Sequence, residues 1–195
     1  MVYENEITVE VDCDIEELRN ILKNNHFELK EEYDLIDFYL IKKDYDTTVD
    51  DLELLKQCVL LRNIVEKDKE TKQITYKYKE YNDNGDILKQ GKINCQIESI
   101  EKAQALFEAL GYIKLIEIKD HISVFTNEKT ELAVQEVNNK HIYIEIEDTI
   151  NHIEKVYSNI EEMKDELHKC KIPIKGNNYF VKKAAIELKE TKVQK

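Results

Sequence analysis

Two segments of the chain alternate strictly between apolar residues and polar, mostly acidic ones. The first reads Glu-Ile-Thr-Val-Glu-Val-Asp and ends at Asp12, and the second reads His-Ile-Tyr-Ile-Glu-Ile-Glu and ends at Glu147. Successive side chains of an extended chain point to opposite faces, so Glu10 shares a face with Asp12. By the same spacing, Glu145 shares a face with Glu147. If the two segments lie side by side in one sheet, their carboxylates repel one another unless cations lie between them, which predicts a divalent metal site.

The same alternation has a simpler interpretation. A strand that packs one face on a core and exposes the other to water shows an identical pattern. On the residues alone, the Glu10/Asp12 pair and the Glu145/Glu147 pair fit both interpretations. Which one holds depends on the elements that position the two segments.

The composition limits the class of protein. The chain has 195 residues, 42% hydrophobic and 36% charged, so we expect one domain with one substantial core over residues 1–195. A formal charge of -12 argues against nonspecific nucleic-acid binding, which needs a basic surface. No stretch approaches the roughly 18 apolar residues of a membrane span, so we expect no membrane segment. The cysteines are far apart in the sequence and form no zinc or disulfide pattern, which favours a reducing cytoplasm.

The order of predicted elements indicates an α+β protein. Alternation predicts about eight strands within residues of about 4–148, followed by a helical segment of about 149–190. The strongest turn signal is Asn-Asp-Asn-Gly at residues 82–85. Most strands carry one apolar and one charged face. In an open sheet the charged face meets water, whereas in a closed barrel it lines a polar interior, and the pattern alone fits both.

Three helices have clear start or stop signals. Asp14 followed by Glu17 forms a capping box that begins a helix after the first strand. Ser99 is suited to cap a second helix, and Gly111 stands where the C-terminal cap of that helix is expected. A third apolar stripe at helical spacing starts at Ile150.

Strand motifs occur in a particular order along the predicted sheet. Residues 60–64 read Leu-Leu-Arg-Asn-Ile, residues 74–77 read Ile-Thr-Tyr-Lys, and the last strand carries Glu145-Ile-Glu147. These segments are similar to the Leu-Arg-x-Arg, Leu-Thr-Tyr-Lys and Glu-x-Glu strands of the CYTH superfamily. Those triphosphate tunnel proteins include class IV adenylate cyclases, thiamine triphosphatases and inorganic triphosphatases. The family's opening strand, Glu-x-Glu-x-Lys, corresponds to residues 8–12, Thr-Val-Glu-Val-Asp.

The resemblance covers most of the chain and implies a closed eight-stranded antiparallel barrel with helices packed outside. In such a tunnel, cationic side chains hold a triphosphate, and carboxylates hold a metal ion that bridges phosphate oxygens. The implied substrate-binding residues are Arg62, Lys77, Lys92, Lys119 and His121. The implied catalytic residues, which stabilise the charge that develops during phosphoryl transfer, are Lys77 and Lys119. The implied ligands of Mg²⁺ or Mn²⁺ are Glu10, Glu145 and Glu147.

Several positions depart from the family's motifs. Asp12 replaces the lysine of the opening strand, Ile64 replaces the second arginine, and His121 replaces a further arginine. Neutral residues stand where the family has carboxylates, namely Asn94, Gln96 and Gln135. The remaining carboxylates are enough for one Mg²⁺, which keeps several waters. The lost arginines weaken the bidentate grip on phosphate, because lysine and histidine do not reproduce it.

These departures leave three hypotheses open. The first is a metal-dependent phosphohydrolase or adenylate-cyclase-like enzyme that acts on a triphosphate or nucleotide. The second is a catalytically inert module that uses the altered tunnel to bind a phosphorylated or organic anion. In the third, the resemblance is only architectural, and the barrel binds another small molecule or a protein. The expected partner is a phosphorylated small molecule, and a homodimer is one possible assembly.

Overall fold

The computed structural model of the chain describes residues 6–81, 87–127, 129–147, 152–153 and 157–193, with the backbone alone for residues 79–81 and 87–90. The strands are β1 (Glu6–Glu10), β2 (Glu28–Lys42), β3 (Val59–Glu66), β4 (Lys69–Tyr81), β5 (Ile87–Gln96), β6 (Tyr112–Thr126), β7 (Glu131–Val137) and β8 (His141–Glu147). The helices are α1 (Ile15–Asn24), α2 (Asp51–Lys56), α3 (Ile100–Ala109), α4 (Ile160–Cys170) and α5 (Lys183–Val193). The turn predicted at residues 82–85 lies outside the described residues.

One antiparallel sheet contains all eight strands, in the order β1-β8-β7-β6-β2-β3-β4-β5. The predicted α+β class and strand number are therefore confirmed. Within the part of the chain that the structure describes, the hydrogen-bonded order ends at β1 on one side and at β5 on the other. No ladder closes it there, so closure into a barrel stays a prediction.

Two helices begin and end where their capping residues predict. The Asp14 side chain accepts a 2.8 Å hydrogen bond from the backbone N–H of Glu17 at the start of α1. Ser99 accepts a 3.1 Å bond from the N–H of Lys102 at the start of α3, and Gly111 follows that helix with a φ of 84°. A left-handed φ suits glycine, which lacks a Cβ.

The third predicted helix begins later than its apolar stripe. The first helical residue described there is Ile160, and Asn159 caps it by accepting from the N–H of Glu162. Residues 152–153 and 157–159 are described and are not helical, so the prediction of one helix running from Ile150 is wrong before Ile160. Residues 148–151 and 154–156 lie outside the described residues. No helix within the described part of the chain is long and apolar enough to cross a membrane.

The chain divides into two compact units. The first consists of Met1–Tyr33 and Asp120–Val181. Its core packs the apolar faces of β1 and β8 against helices α1 and α4. The buried members include Ile7, Val9, Leu18, Leu22, Ile144, Ile146, Met163 and Leu167. Because side chains alternate along a strand, the glutamates of β1 and β8 lie on the sheet face opposite this core.

The second unit consists of Asp34–Lys119 and Lys182–Lys195. Here the apolar face of β2, β3 and β4 packs on helix α3. The members of this core include Phe38, Leu40, Leu61, Ile74, Ile100 and Ala103. The intervening residues of the same strands lie on the opposite face, where Asp37, Arg62 and Thr75 stand among buried apolar residues such as Leu60 and Ile41. The single domain expected from the composition stays a prediction.

Candidate functional site

Three glutamates of the first unit form a carboxylate cluster, defined as Glu6, Glu145 and Glu147. Their side chains are half-buried, and one carboxylate oxygen from each lies within 4.8 Å of the others. The ladder between β1 and β8 explains the convergence, because Glu6 lies directly opposite Glu147 and Thr8 lies opposite Glu145. Carboxylate oxygens are the ligands that Mg²⁺ and Mn²⁺ prefer, so the carboxylate cluster has the donor set for one divalent cation.

Neutral neighbours hold the carboxylate cluster in place. The Gln135 side chain donates a 3.1 Å hydrogen bond from Nε2 to Oε2 of Glu145. The Thr8 hydroxyl donates a 3.3 Å bond to Oε1 of Glu6. Both donors are neutral groups, and their hydrogen bonds orient the carboxylates of Glu6 and Glu145.

Glu10 lies two residues further along the same face of β1 than Thr8, but it has different partners. Its Oε1 atom accepts a 2.8 Å hydrogen bond from Nζ of Lys175 and lies 3.1 Å from Nδ1 of His141. Asp12 is exposed, and its backbone N–H donates to the carbonyl of Pro173. The structure thus brings Glu145 and Glu147 together as predicted, but their third carboxylate is Glu6 rather than Glu10.

The sequence contains a motif that indicates Glu6 as a candidate metal ligand. The spacing Glu-x-Glu also occurs at Glu4 and Glu6, four residues before the segment that we compared with the family's opening strand. In that register Thr8 takes the place of the lysine. Glu4 lies outside the described residues.

An ion pair on the sheet face of the second unit opposite helix α3 involves the predicted phosphate ligand Arg62. Nε of Arg62 donates to Oδ1 of Asp37 at 2.7 Å, and Nη2 donates to Oδ2 at 2.6 Å. The two residues lie directly opposite each other in the β2–β3 ladder. Their side chains are only 15% and 7% exposed, so this is a largely buried, bidentate pair.

Further cations surround this pair. Lys77 and Lys183 both act electrostatically on Asp37. Lys77 lies on β4, directly opposite Lys92 of β5. We call Arg62, Lys77, Lys92 and Lys183 the cationic group. Guanidinium and ammonium groups are the side chains that bind phosphate oxygens, so the members of the cationic group are of a type that suits a phosphorylated ligand.

Two residues of this region, Asp37 and Lys183, were not predicted as site residues from the sequence. Asp37 is the one charged residue in the run Leu35 to Ile41, which reads Leu-Ile-Asp-Phe-Tyr-Leu-Ile. A lone carboxylate in an apolar strand is a signal for a buried partner, since burial without one is unfavourable. Lys183 has no such signal, because it begins a helix at the end of the chain and nothing in its neighbours indicates a strand partner.

The other two predicted substrate ligands, Lys119 and His121, each lie beside a glutamate. Nζ of Lys119 lies 3.5 Å from Glu117, and the Lys119 side chain is 65% exposed. His121 lies 3.9 Å from Glu32. In the β6–β7 ladder His121 is opposite Glu136, whereas Gln135 is opposite the next residue of β6. His121 therefore lies on the sheet face opposite Gln135, and the roles of Lys119 and His121 stay predictions.

The environment of Asp37 shifts its pKa. Burial disfavours the charged carboxylate, but the Arg62 guanidinium opposes this through its charge and hydrogen bonds. Lys77 and Lys183 add to that effect, and the pKa of Asp37 falls below its ordinary value of 3.8. The stabilisation from this ion pair is therefore fully present above the unfolded pKa and is lost as the pH falls through the lower folded pKa.

We expect acid to destabilise the wild-type chain more steeply than the Asp37→Asn variant below about pH 4. The amide of the variant does not titrate. The variant therefore lacks the contribution of the Asp37–Arg62 ion pair to the free energy of unfolding at every pH. Urea unfolding between about pH 2 and pH 6 measures the free energy of unfolding of both chains. Asp51→Asn, which removes the carboxylate of the exposed pair with Lys192, is the control. Equal pH slopes for wild type and Asp37→Asn would contradict the depressed pKa.

Comparison with known proteins supports the fold. No protein-family model and no curated protein matches this chain. Among solved structures, the PH1819 protein from Pyrococcus horikoshii OT3 matches with a TM-score of 0.69 and 18% identity over 97% of this chain and 99% of that one. The Hippeastrum protein HpAC1, an adenylyl cyclase candidate with a dominant triphosphatase activity, matches with a TM-score of 0.60 and 13% identity over 97% and 96%.

A candidate adenylate cyclase from Vibrio parahaemolyticus has a TM-score of 0.58 and 14% identity, over 94% of this chain and 97% of that chain. The shared region is thus nearly the whole of each protein. These likenesses show that the chain shares its fold with solved structures described as adenylate cyclase candidates, one of them with triphosphatase activity.

Proposed function

We propose that the chain is a metal-dependent phosphohydrolase or adenylate-cyclase-like enzyme that acts on a triphosphate or nucleotide. The observation that carries the proposal is the carboxylate cluster, whose oxygens lie within 4.8 Å of one another on directly paired strands. Acidic groups so close together repel one another, and a divalent cation relieves this repulsion. The fold shared with a protein that has a dominant triphosphatase activity supports this choice of reaction class.

The cationic group supplies the second requirement of this chemistry. Arg62, Lys77, Lys92 and Lys183 are suited to bind phosphate oxygens and to stabilise the charge that spreads over them in phosphoryl transfer. In the family that the sequence resembles, a metal ion held by carboxylates neutralises further charge on the substrate, and Glu6, Glu145 and Glu147 are the residues of the first unit suited to hold Mg²⁺ or Mn²⁺. Lys77 is the residue of the predicted catalytic pair that lies in the cationic group. Lys119 enters the proposal from the family resemblance alone.

A second candidate function is an inert module that binds a phosphorylated or organic anion. The specific observation in its favour is the contact between Gln135 and Glu145. An amide from Gln135 bonds to it at 3.1 Å where the family has a metal-binding aspartate. With one carboxylate fewer, the affinity for metal falls, and the cationic group could still bind an anion without turning it over.

A direct assay separates the two functions. Release of phosphate or cyclic AMP is measured from tripolyphosphate, thiamine triphosphate and ATP with Mg²⁺ or Mn²⁺, and binding of the same compounds is measured by calorimetry. We expect metal-dependent release from at least one substrate. Binding without release supports the inert module. Absence of both binding and release for every compound would refute both functions.

A further inference from the structure

Asp37 is an unexpected residue to find beside a group proposed to bind anions. Its carboxylate is in contact with Arg62 and lies in the electrostatic field of Lys77 and Lys183. A negative charge there lowers the positive potential that a polyphosphate would meet. If attraction of anions were the only requirement, a neutral residue would serve better. Asp37 must therefore contribute something other than affinity.

The geometry indicates what that contribution is. Asp37 engages the side edge of the guanidinium through both Nε and Nη2, at 2.7 and 2.6 Å. A bidentate contact of this kind fixes the plane of the guanidinium as well as its position. Both partners stand opposite each other on paired strands and are largely buried, so the Asp37–Arg62 contact is shielded from competing water. A single hydrogen bond, or a contact to a lysine, would leave rotation free.

We propose that Asp37 is a positioning residue that fixes the Arg62 guanidinium for phosphoryl transfer, at the expense of affinity for the anion. This inference rests on the proposed function and deepens it. The chemical reason is that stabilisation of a transition state depends on donors held in place before the reaction, whereas binding of a flexible polyanion tolerates a mobile cation. Asp37 is thus predicted to raise turnover while it weakens ground-state binding.

A purely structural ion pair makes a different prediction. Such a pair would affect the stability of the sheet and leave the kinetics of the folded fraction unchanged. The two roles are therefore separated by comparing kcat with the Kd of the substrate, because opposite changes in these quantities do not follow from partial unfolding.

The test uses the chain of residues 1–195 and tripolyphosphate. For Asp37→Asn we expect kcat with Mg²⁺ to fall by about tenfold or more, because the guanidinium is no longer fixed. We expect the Kd of tripolyphosphate, measured by calorimetry, to fall by about threefold, because a negative charge is removed. Asp51→Asn makes the same charge change in the exposed pair with Lys192 and should leave both quantities near the wild-type values.

Two further variants apply if Asp37→Asn does not fold. Arg62→Lys keeps the positive charge and Asp37 but cannot form the two-point contact, so kcat should fall about as far as in Asp37→Asn. Asp37→Glu keeps the carboxylate one methylene further out and should recover part of the kcat lost in Asp37→Asn. Wild-type kcat in a folded Arg62→Lys or Asp37→Asn chain would overturn the positioning role.

The outcome for the wild-type chain distinguishes this inference from the function on which it rests. If wild type hydrolyses tripolyphosphate and the Asp37 variants do so equally well, only the positioning role is wrong. If wild type neither binds nor hydrolyses tripolyphosphate or the other triphosphates, the proposed function is wrong, and this inference falls with it.

Discussion

We expect Glu145→Gln to lower turnover of the preferred triphosphate by about 100-fold. The substitution keeps the size of the side chain and replaces one of the three carboxylates of the carboxylate cluster by a neutral amide. An amide oxygen is a much weaker ligand for Mg²⁺ than a carboxylate, so the half-saturating concentration of Mg²⁺ should rise at the same time. Initial rates measured across a Mg²⁺ titration give both quantities.

The inert module makes the opposite prediction for the same variant. Without a required metal, loss of a negative charge should leave anion affinity unchanged or improve it by relieving repulsion. Calorimetry on Glu145→Gln with tripolyphosphate therefore accompanies the rate measurement. Turnover equal to that of wild type would contradict a metal role for Glu145.

Glu6→Gln and Glu10→Gln form a matched pair that identifies the third carboxylate. Both positions lie on β1, and both changes remove one charge. Because Glu6 belongs to the carboxylate cluster, Glu6→Gln should reproduce the loss seen in Glu145→Gln. Glu10 is instead bonded to Lys175 at 2.8 Å, so Glu10→Gln should leave turnover near the wild-type value. The reverse result would restore the ligand set predicted from the sequence.

The choice between Glu6 and Glu10 shows what strand alternation can and cannot give. A period of two assigns a residue to a face, and by this period Glu6 and Glu10 share one face of β1. The period does not say which residue of the partner strand lies opposite a given residue, because that depends on the register of the ladder. Here the ladder sets Glu6 opposite Glu147, and that pairing joins segments at opposite ends of the sequence. Glu145 and Glu147 were predictable because they are neighbours on one strand.

The cationic group was predictable to a similar extent. Arg62 and Lys77 stand in strand motifs that the sequence displays, and the structure places both near Asp37. The ion pair itself joins residues 25 positions apart, so it depends on the β2–β3 register. Lys183 reaches this environment from a helix that follows all the strands, a tertiary arrangement that local patterns do not encode. Local signals such as the Asp14 and Ser99 caps, by contrast, needed no tertiary information.

Lys77→Met is expected to weaken tripolyphosphate binding by about 10- to 100-fold, since one charge-assisted hydrogen bond contributes about 1.5–3 kcal/mol. Methionine keeps an unbranched apolar side chain on β4 and removes the ammonium group alone. Lys69→Met is the matched control, because Lys69 also lies on β4 and its side chain is 68% exposed beside Glu66. Calorimetry at low ionic strength measures the Kd of both variants.

Salt dependence provides an independent check on the role of Lys77. A ligand bound through charge loses affinity as salt screens the interaction, and fewer cations give a shallower slope of log Kd against log salt. The slope should therefore decrease in Lys77→Met and stay as in wild type in Lys69→Met. Acid unfolding gives a readout without ligand, because loss of the Lys77 charge should raise the pKa of Asp37 and start the loss of stability at a higher pH. Equal Kd values and salt slopes in both variants would show that Lys77 does not contact the anion.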